Sequence, residues 1–415
     1  MRFLHLADVH LDTPFAGRTE ALRLRLREAS RDGLARAFRA AVEEAVDVVL
    51  IAGDLFDGQR LSFETERFLV KQFRALSEAR IPVVYATGNH DPGHSGLRAH
   101  RLPWPDSVVV VGEREPRRIP IPGRDGARVG FVTAAGHGTE RETDDLSRAF
   151  PAPGGELPEV AMLHTQVHSA RAADAHHPYA PSELGHLEAA GFDYWALGHV
   201  HTRQALCDAP PIHYPGNLQG RTLSETGAKG GLLVDLSDRA NPRVDFRPFG
   251  PIRWETIEVN GLEGATDLEG LQARIRQVWD GERADDPHGD SFEWIARVIL
   301  RGSCPLWREL AIDEERRTVA HDLGGRLGAL DVTVETRGMH PVTSIEEQRG
   351  RKDVLGEALR IVDELREGGS LPGIQSEELA GLDGDGRQDQ DAYIRSLLDG
   401  AEGDILSRLL DPSAG

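Results

Sequence analysis

Short apolar runs that each stop at a cluster of Asp, Asn and His constrain this chain more than any other feature. Asp47-Val48-Val49-Leu50-Ile51-Ala52 gives way to Gly53-Asp54-Leu55-Phe56-Asp57, and Pro82-Val83-Val84-Tyr85-Ala86 to Gly88-Asn89-His90-Asp91. Arg2 to Ala7 stops at Asp8-Val9-His10, Val160 to Leu163 at His164, and Asp193 to Leu197 at Gly198-His199-Val200-His201. Ile212 to Tyr214 stops at Pro215-Gly216-Asn217. Continuous apolar runs bounded by turn residues read as strands buried on both faces. Amides, imidazoles and carboxylates are poor core material, but they sit where strand ends of α/β folds present ligand-binding groups.

Helical spacing fills the gaps between these strands. Ser30 is expected to cap a helix that buries Leu34, Phe38, Ala41, Val42 and Ala45, and Ser62 a second one with Phe63, Leu69, Phe73 and Leu76. Strand, helix, strand in succession predicts a parallel α/β sheet with its polar turns along one edge. Val108 to Val111 and Arg128 to Thr133 read as further strands, separated by a hairpin-like Pro/Gly/Arg loop around Pro116 to Arg124. Near Pro248 to Pro251 the rhythm changes. Trp254 to Val259, a helix over Leu268 to Trp279 and Trp294 to Leu300 suggest a smaller α+β unit. After about Pro341 the chain is helix-forming, with Val354, Leu355, Leu359, Val362 and Leu365 on one stripe, a Gly/Asp-rich linker, and a last helix over Ile394 to Leu410. The expected divisions are 1–250, 251–341 and 342–415.

A chain of 415 residues exceeds one ordinary domain. No apolar run reaches membrane-spanning length, and Asp8 and His10 interrupt the first run before a signal core could form, so a soluble cytoplasmic protein is expected. Cys207 and Cys304 lack C-x-x-C spacing and read as buried free thiols. The net charge of −20 argues against a general coat for nucleic acid, whose binding depends on positive charge. That charge is uneven: Ile345 to Gly415 holds 17 acidic against 8 basic residues, whereas Arg18 to Ala41 has seven Arg against Glu20, Glu28 and Asp32.

Together the strand ends offer Asp8, His10, Asp54, Asn89, His164, His199 and His201, oxygen and imidazole donors without a thiolate. Such a set suits two borderline-hard divalent ions. An Asp at a strand end is usually a helix cap and a lone His usually a satisfied core residue, so each motif alone is weak. The ordered series D-x-H, G-D-x-x-D, G-N-H-D, H-T and G-H-x-H is specific. A carboxylate can hold two cations a few Å apart, and a water shared between them loses a proton near neutral pH and becomes a nucleophile.

In that order the motifs resemble the calcineurin-like metallophosphoesterases. His5-Leu6-Ala7-Asp8-Val9-His10-Leu11-Asp12-Thr13-Pro14-Phe15 and Tyr214-Pro215-Gly216-Asn217-Leu218-Gln219-Gly220-Arg221 are similar to the SbcD-type DNA-repair nuclease branch, nearest to its YhaO-like bacterial members. The resemblance covers about residues 1–250. It implies a four-layer α/β/β/α sandwich with a smaller α+β capping domain and a helical C-terminal region.

By the same resemblance, Asp8, His10, Asp54 and His201 would hold one metal, and Asp54, Asn89, His164 and His199 the other. Asp54 would bridge, and the metal is usually manganese. His90 would face the scissile phosphate and stabilise or protonate the departing oxygen. Asp57 stands where some relatives carry a histidine that positions His90, which puts that contact in question. Asp12 and Asp91 are candidates to orient imidazoles, with turn caps as the equal alternative. Arg203 and Arg221 are expected to contact substrate phosphate, and Asn217 either substrate or its own turn. His94, His100, His168, His176, His177 and His186 read as surface residues. The resemblance further implies DNA as substrate, an SMC-like coiled-coil ATPase of SbcC/YhaN type docking on Val354 to Leu365, and a homodimer. The Arg-rich segment from Arg18 to Arg39 and the loop with Arg114, Arg117, Arg118, Arg124 and Arg128 are candidate DNA contacts. Nucleotides or other small phosphoesters are the alternative substrates.

Overall fold

Every apolar run named above forms a strand in the computed structural model, which describes residues 1–58, 61–93, 102–168, 170, 179–283, 292–366 and 397–410. Contacts divide the chain into two units, Met1–Trp254 and Glu255–Gly415. The first holds β1 (Arg2–Leu6), α1 (Glu20–Glu43), β2 (Val48–Ala52), α2 (Phe63–Glu78), β3 (Val83–Ala86), β4 (Val108–Val111), β5 (Arg117–Pro122) and β6 (Arg128–Ala135). These are followed by β7 (Glu159–His164), α3 (Leu184–Ala189), β8 (Tyr194–Gly198), β9 (Gln204–Asp208), β10 (Pro211–Tyr214), β11 (Gly230–Asp235) and β12 (Arg243–Pro248).

Two six-stranded sheets result, ordered β12-β11-β1-β2-β3-β4 and β5-β6-β7-β8-β10-β9. From β1 to β4 the strands are parallel, and their register sets Leu6 beside Ile51 and Ile51 beside Tyr85. The polar turns beginning just past those residues therefore leave the sheet along one edge. In the second sheet the register sets His164 beside Gly198, which brings the remaining two polar turns together.

Strand alternation produces the layers. Leu4, Leu6, Val49, Ile51, Val83 and Tyr85 pack with Leu34 and Phe38 of α1 and Leu69 and Phe73 of α2. Phe3, Val48, Leu50 and Val84 face the opposite way, onto Val132, Val160, Met162 and Tyr194 of the second sheet. That sheet's outer side buries Leu163, Trp195 and Leu197 with Leu187 of α3. The result is α/β/β/α, in which each wholly buried Leu or Phe contributes about 1.5–3 kcal/mol. A polar pair crosses the middle: His5 sets Nδ1 3.1 Å from the Tyr194 hydroxyl and Nε2 3.1 Å from the Leu197 carbonyl.

Several expectations need correction. The first helix starts at Glu20, capped by Thr19, whose hydroxyl accepts from Leu22 N; Ser30 lies inside it, donating to the Leu26 carbonyl. Leu26 and Ala29 extend the buried face backwards, and Val42 is exposed. Ser62 does cap the second helix, but Phe63 is 79% exposed. The stretch expected as a loop around Pro116 to Arg124 contains β5, an edge strand where Pro120 and Pro122 withhold no needed ladder donor. The half-exposed edge strands β9 and β12 and the buried β11 had no clear sequence signal.

The second unit has a three-stranded sheet ordered β13 (Ile252–Val259), β14 (Glu293–Ser303), β15 (Ala329–His340), with β14 and β15 parallel. Around it lie α4 (Leu268–Arg283), α5 (Trp307–Ala311) and α6 (Asp313–Leu327), which enclose a core with Ile275, Trp279, Trp294, Val298 and Leu323. Then come α7 (Ile345–Arg349), α8 (Val354–Arg366) and α9 (Ala401–Leu409). The stripe of α8 is covered within the unit, Leu355 and Leu359 packing on Leu406 of α9. Val354 and Ile361 remain exposed. The Gly/Asp-rich linker, His94, His100, His176 and His177 lie outside the described residues. Among the described residues no helix is long and apolar enough to cross a membrane.

Candidate metal centre

The loops after β1, β2, β3, β7 and β8 converge on one buried cluster. His10 Nε2 lies 3.2 Å from His201 Nε2 and 3.6 Å from Asp54 Oδ2, and Asp8 Oδ1 lies 3.7 Å from His201 Nε2. On the other side of Asp54, His164 Nε2 stands 3.4 Å from the same Oδ2 and 3.0 Å from Asn89 Oδ1, which is 3.2 Å from His199 Nδ1. One carboxylate oxygen thus sits between two donor groups: Asp8, His10 and His201 on one side, Asn89, His164 and His199 on the other.

Holding these groups requires unusual backbone. Asp8, His10, Asp54 and His199 all have positive φ, between 48° and 102°. Non-glycine residues enter that region at a cost of about 1–3 kcal/mol each. Two glycines make room. A Cβ on Gly53, itself at φ 87°, would fall 2.2 Å from His164 Nδ1, and one on Gly88 would fall 2.2 Å from Asp54 Oδ1. Gly88 is not at positive φ, so its smallness serves close approach rather than a left-handed turn.

Neighbouring groups orient the donors. His164 Nδ1 lies 2.9 Å from the Ala52 carbonyl, which fixes the tautomer leaving Nε2 a lone pair. Both Asp8 oxygens accept from His199 N, at 3.2 and 3.1 Å. The protein alone is a poor host for this charge pattern: burial foremost pushes the carboxyls of Asp8 and Asp54 up, and pushes His10 and His164 well below the ordinary imidazole value. A divalent cation reverses both tendencies by attracting carboxylates and imidazole lone pairs. The donor chemistry, the burial and the convergence on Asp54 therefore fit two divalent ions.

His90 stands beside the cluster. Its backbone N donates to Asp54 Oδ1 at 2.9 Å, and its Nδ1 lies 2.9 Å from Asp57 Oδ1. Burial lowers its basicity, but the bond to Asp57 and the charge of Asp54 outweigh this and raise it to about 9. The contact that the histidine-to-Asp difference put in question is therefore present. Asp57 also lies 3.5 Å from His10 Nδ1 and 3.6 Å from Arg221 Nη1.

Other expected residues do different work. Asp12 braces the start of α2, accepting from the N-cap Ser62 N at 2.6 Å and Thr65 Oγ1 at 2.8 Å. Asp91 ties two loops together, accepting from Gly88 N at 2.7 Å, Tyr85 Oη at 2.5 Å and Phe56 N at 3.2 Å, with no imidazole among these partners. Asn217 is wholly buried and donates to Gln219 O and Glu225 Oε2, a turn role rather than a substrate contact. Arg203 lies over the Phe246 ring, 3.9 Å from its centroid. Among the basic segments, Arg118 is paired with Glu159 and stacked on Phe131, Arg114 with Asp144 and Glu142, and Arg31 with Glu64. His168 and His186 are exposed, as expected.

Two residues with no sequence signal of their own also belong here. His137 is buried with Nε2 2.7 Å from the His164 carbonyl, and Glu225 Oε1 lies 2.7 Å from His201 Nδ1. The bond to His201 overrides burial and lowers the Glu225 carboxyl to about 2.

Comparison with known proteins agrees with this geometry. Residues 1–203 match the calcineurin-like phosphoesterase family. The metallophosphoesterase YhaO of Bacillus subtilis is 33% identical over 315 residues, 74% of this chain and 73% of that protein. The DNA double-strand break repair protein Mre11 of Aeropyrum pernix is 30% identical, covering 76% of this chain and 77% of its own. A subunit of the SbcCD nuclease of Rhodobacter capsulatus is 30% identical over 59% of this chain and 68% of its own. With a buried donor cluster at the ends of five strands and a relative of this extent, the chain belongs to the calcineurin-like metallophosphoesterases, in the branch of SbcD-type and YhaO-like proteins.

Proposed function

We propose that the chain is a manganese-dependent nuclease that hydrolyses phosphodiester bonds of DNA. The observation that carries this reading is the Asp54 carboxylate shared between two donor groups with His90 beside it. The names of the Aeropyrum and Rhodobacter relatives, a break-repair protein and a nuclease subunit, favour DNA as the substrate. Asp8, His10, Asp54 and His201 would hold one cation, and Asp54, Asn89, His164 and His199 the other. When bound, the pair supplies charge neutralisation to the phosphate and an activated water.

The protein's own groups complete the chemistry. Asp57 takes the Nδ1 hydrogen of His90, which turns Nε2 toward the open side and lets it give a proton to the departing oxygen. Arg221, tethered between Asp57 and Glu225, offers its guanidinium to a non-bridging phosphate oxygen. We assign the α+β unit a capping or DNA-binding role and the exposed Val354 and Ile361 of α8 to an SMC-like ATPase partner, with the nuclease units acting as a homodimer.

Incubation with Mn²⁺ and linear DNA of defined ends tests the reading. Cleavage is expected for the natural chain, and His90→Ala should lower it by about 10²–10⁴-fold while both metals stay bound. Absence of cleavage, or cleavage indifferent to His90→Ala, overturns it. The net charge of −20 favours a second reading, a phosphoesterase for nucleotides or other small esters. Turnover of such esters far above that of DNA would establish it.

A further inference from the structure

Glu225 has both carboxylate oxygens committed within a few residues of the centre. Oε1 lies 2.7 Å from His201 Nδ1, and Oε2 accepts from Arg221 N at 2.6 Å and from Asn217 Nδ2 at 2.8 Å. The loop it closes is tied to two donor loops, since Asn217 N donates to the His201 carbonyl at 3.2 Å and Leu218 N to the Asp8 carbonyl at 3.4 Å. Asp8 and His201, at those two attachment points, lie on the same side of Asp54.

We infer that Glu225 is a positioning residue for one of the two metal positions, the one formed by Asp8, His10, Asp54 and His201. By accepting the Nδ1 hydrogen it fixes the His201 tautomer, so that Nε2 presents its lone pair toward Asp8 Oδ1 and His10 Nε2. Its second oxygen is held by Arg221 N and Asn217 Nδ2, so the carboxylate is fixed in place to receive the imidazole hydrogen. At the opposite position the Ala52 carbonyl orients His164, a bond in which the Glu225 loop has no part. Loss of Glu225 should therefore act on one position and spare the other. A carboxylate behind a ligating imidazole is typically worth about 10–100-fold in metal affinity.

This inference rests on the two-metal reading, and Mn²⁺ titration of the metal-free full chain, followed by calorimetry and by electron paramagnetic resonance, tests both. The natural chain should bind two ions. Glu225→Gln should weaken one of them about 10–100-fold and leave the other at its natural affinity. Gln keeps the size but turns an amide N–H₂ toward donors. Glu225→Asp, which keeps the charge, should recover part of the loss. A natural chain that binds no Mn²⁺ overturns the metal reading together with this inference. Two ions at natural affinity in Glu225→Gln, or equal weakening of both, overturns the inference alone. Thermal melting of the metal-free variants identifies misfolding, and a Glu225→Asp variant that melts normally yet recovers nothing also overturns it.

Discussion

The strand-end edge of the two large sheets and the unit that follows treat polar groups in opposite ways. At the edge, Asp8, Asp54, Asp91, His10 and His164 are buried, and four of the donor residues adopt positive φ. In the second unit, every described residue at positive φ is a glycine, and ion pairs such as Arg297 with Glu335 and Arg301 with Glu258 and Asp399 lie near the surface. One region is assembled against local preference and the other in agreement with it. Strain and buried charge persist only where surrounding packing enforces them, and here they coincide with the candidate metal centre.

The sharpest way to break this contrast is to refill space at the edge. Gly88→Ala sets a methyl 2.2 Å from Asp54 Oδ1 and 2.8 Å from Asp54 N, with no flexible neighbour to yield. We expect loss of both metals and of hydrolysis, with stability lowered by about 1–3 kcal/mol, read by metal content and melting. Gly325→Ala in α6, where nothing lies within 4 Å of the added methyl, should leave metal content unchanged and raise stability by about 0.5–1 kcal/mol.

A smaller effect belongs to His5, whose imidazole burial foremost, helped by His213, lowers from 6.5 to about 3. The unfolded chain takes up this proton near pH 6.5, and the folded chain resists it until about pH 3. Stability should therefore fall as pH drops through that window, by at most about 1.4 kcal/mol per pH unit for this proton. Denaturant titrations of His5→Phe should show a shallower slope there; an unchanged slope removes His5 as its source. The smallest change is expected in the second unit. Arg297→Met, which cuts a half-exposed pair with Glu335, should alter stability by no more than about 1 kcal/mol and leave hydrolysis untouched.

How far the sequence could be read follows the same division. The donors were legible because each interrupts an apolar run at a strand end, a local event. Asp12 and Asp91 stayed open between orienting imidazoles and capping because a carboxylate's partner is a tertiary fact: one meets the start of α2, the other Tyr85 and three backbone amides. Glu225 gave no signal, since it sits in a Ser/Thr-rich turn like any surface acid. The strand β5 was hidden by its prolines, and β12 by the charges that an exposed edge tolerates. The start of α1 was misplaced because Leu26 and Ala29 continue the buried face through a run of arginines that looked like solvent-facing chain.

Asp8, Asp54 and Asn89 follow strands of one sheet, whereas His164, His199 and His201 follow strands of the other. Neither half of the sandwich owns a complete centre. During synthesis, the chain has all its donors only after residue 201 has been made and the two halves have closed on each other. A chemistry able to cut phosphoester bonds is thereby withheld from any nascent chain that stops before residue 201 and from any form in which the two sheets have not closed, by the order in which its parts arrive.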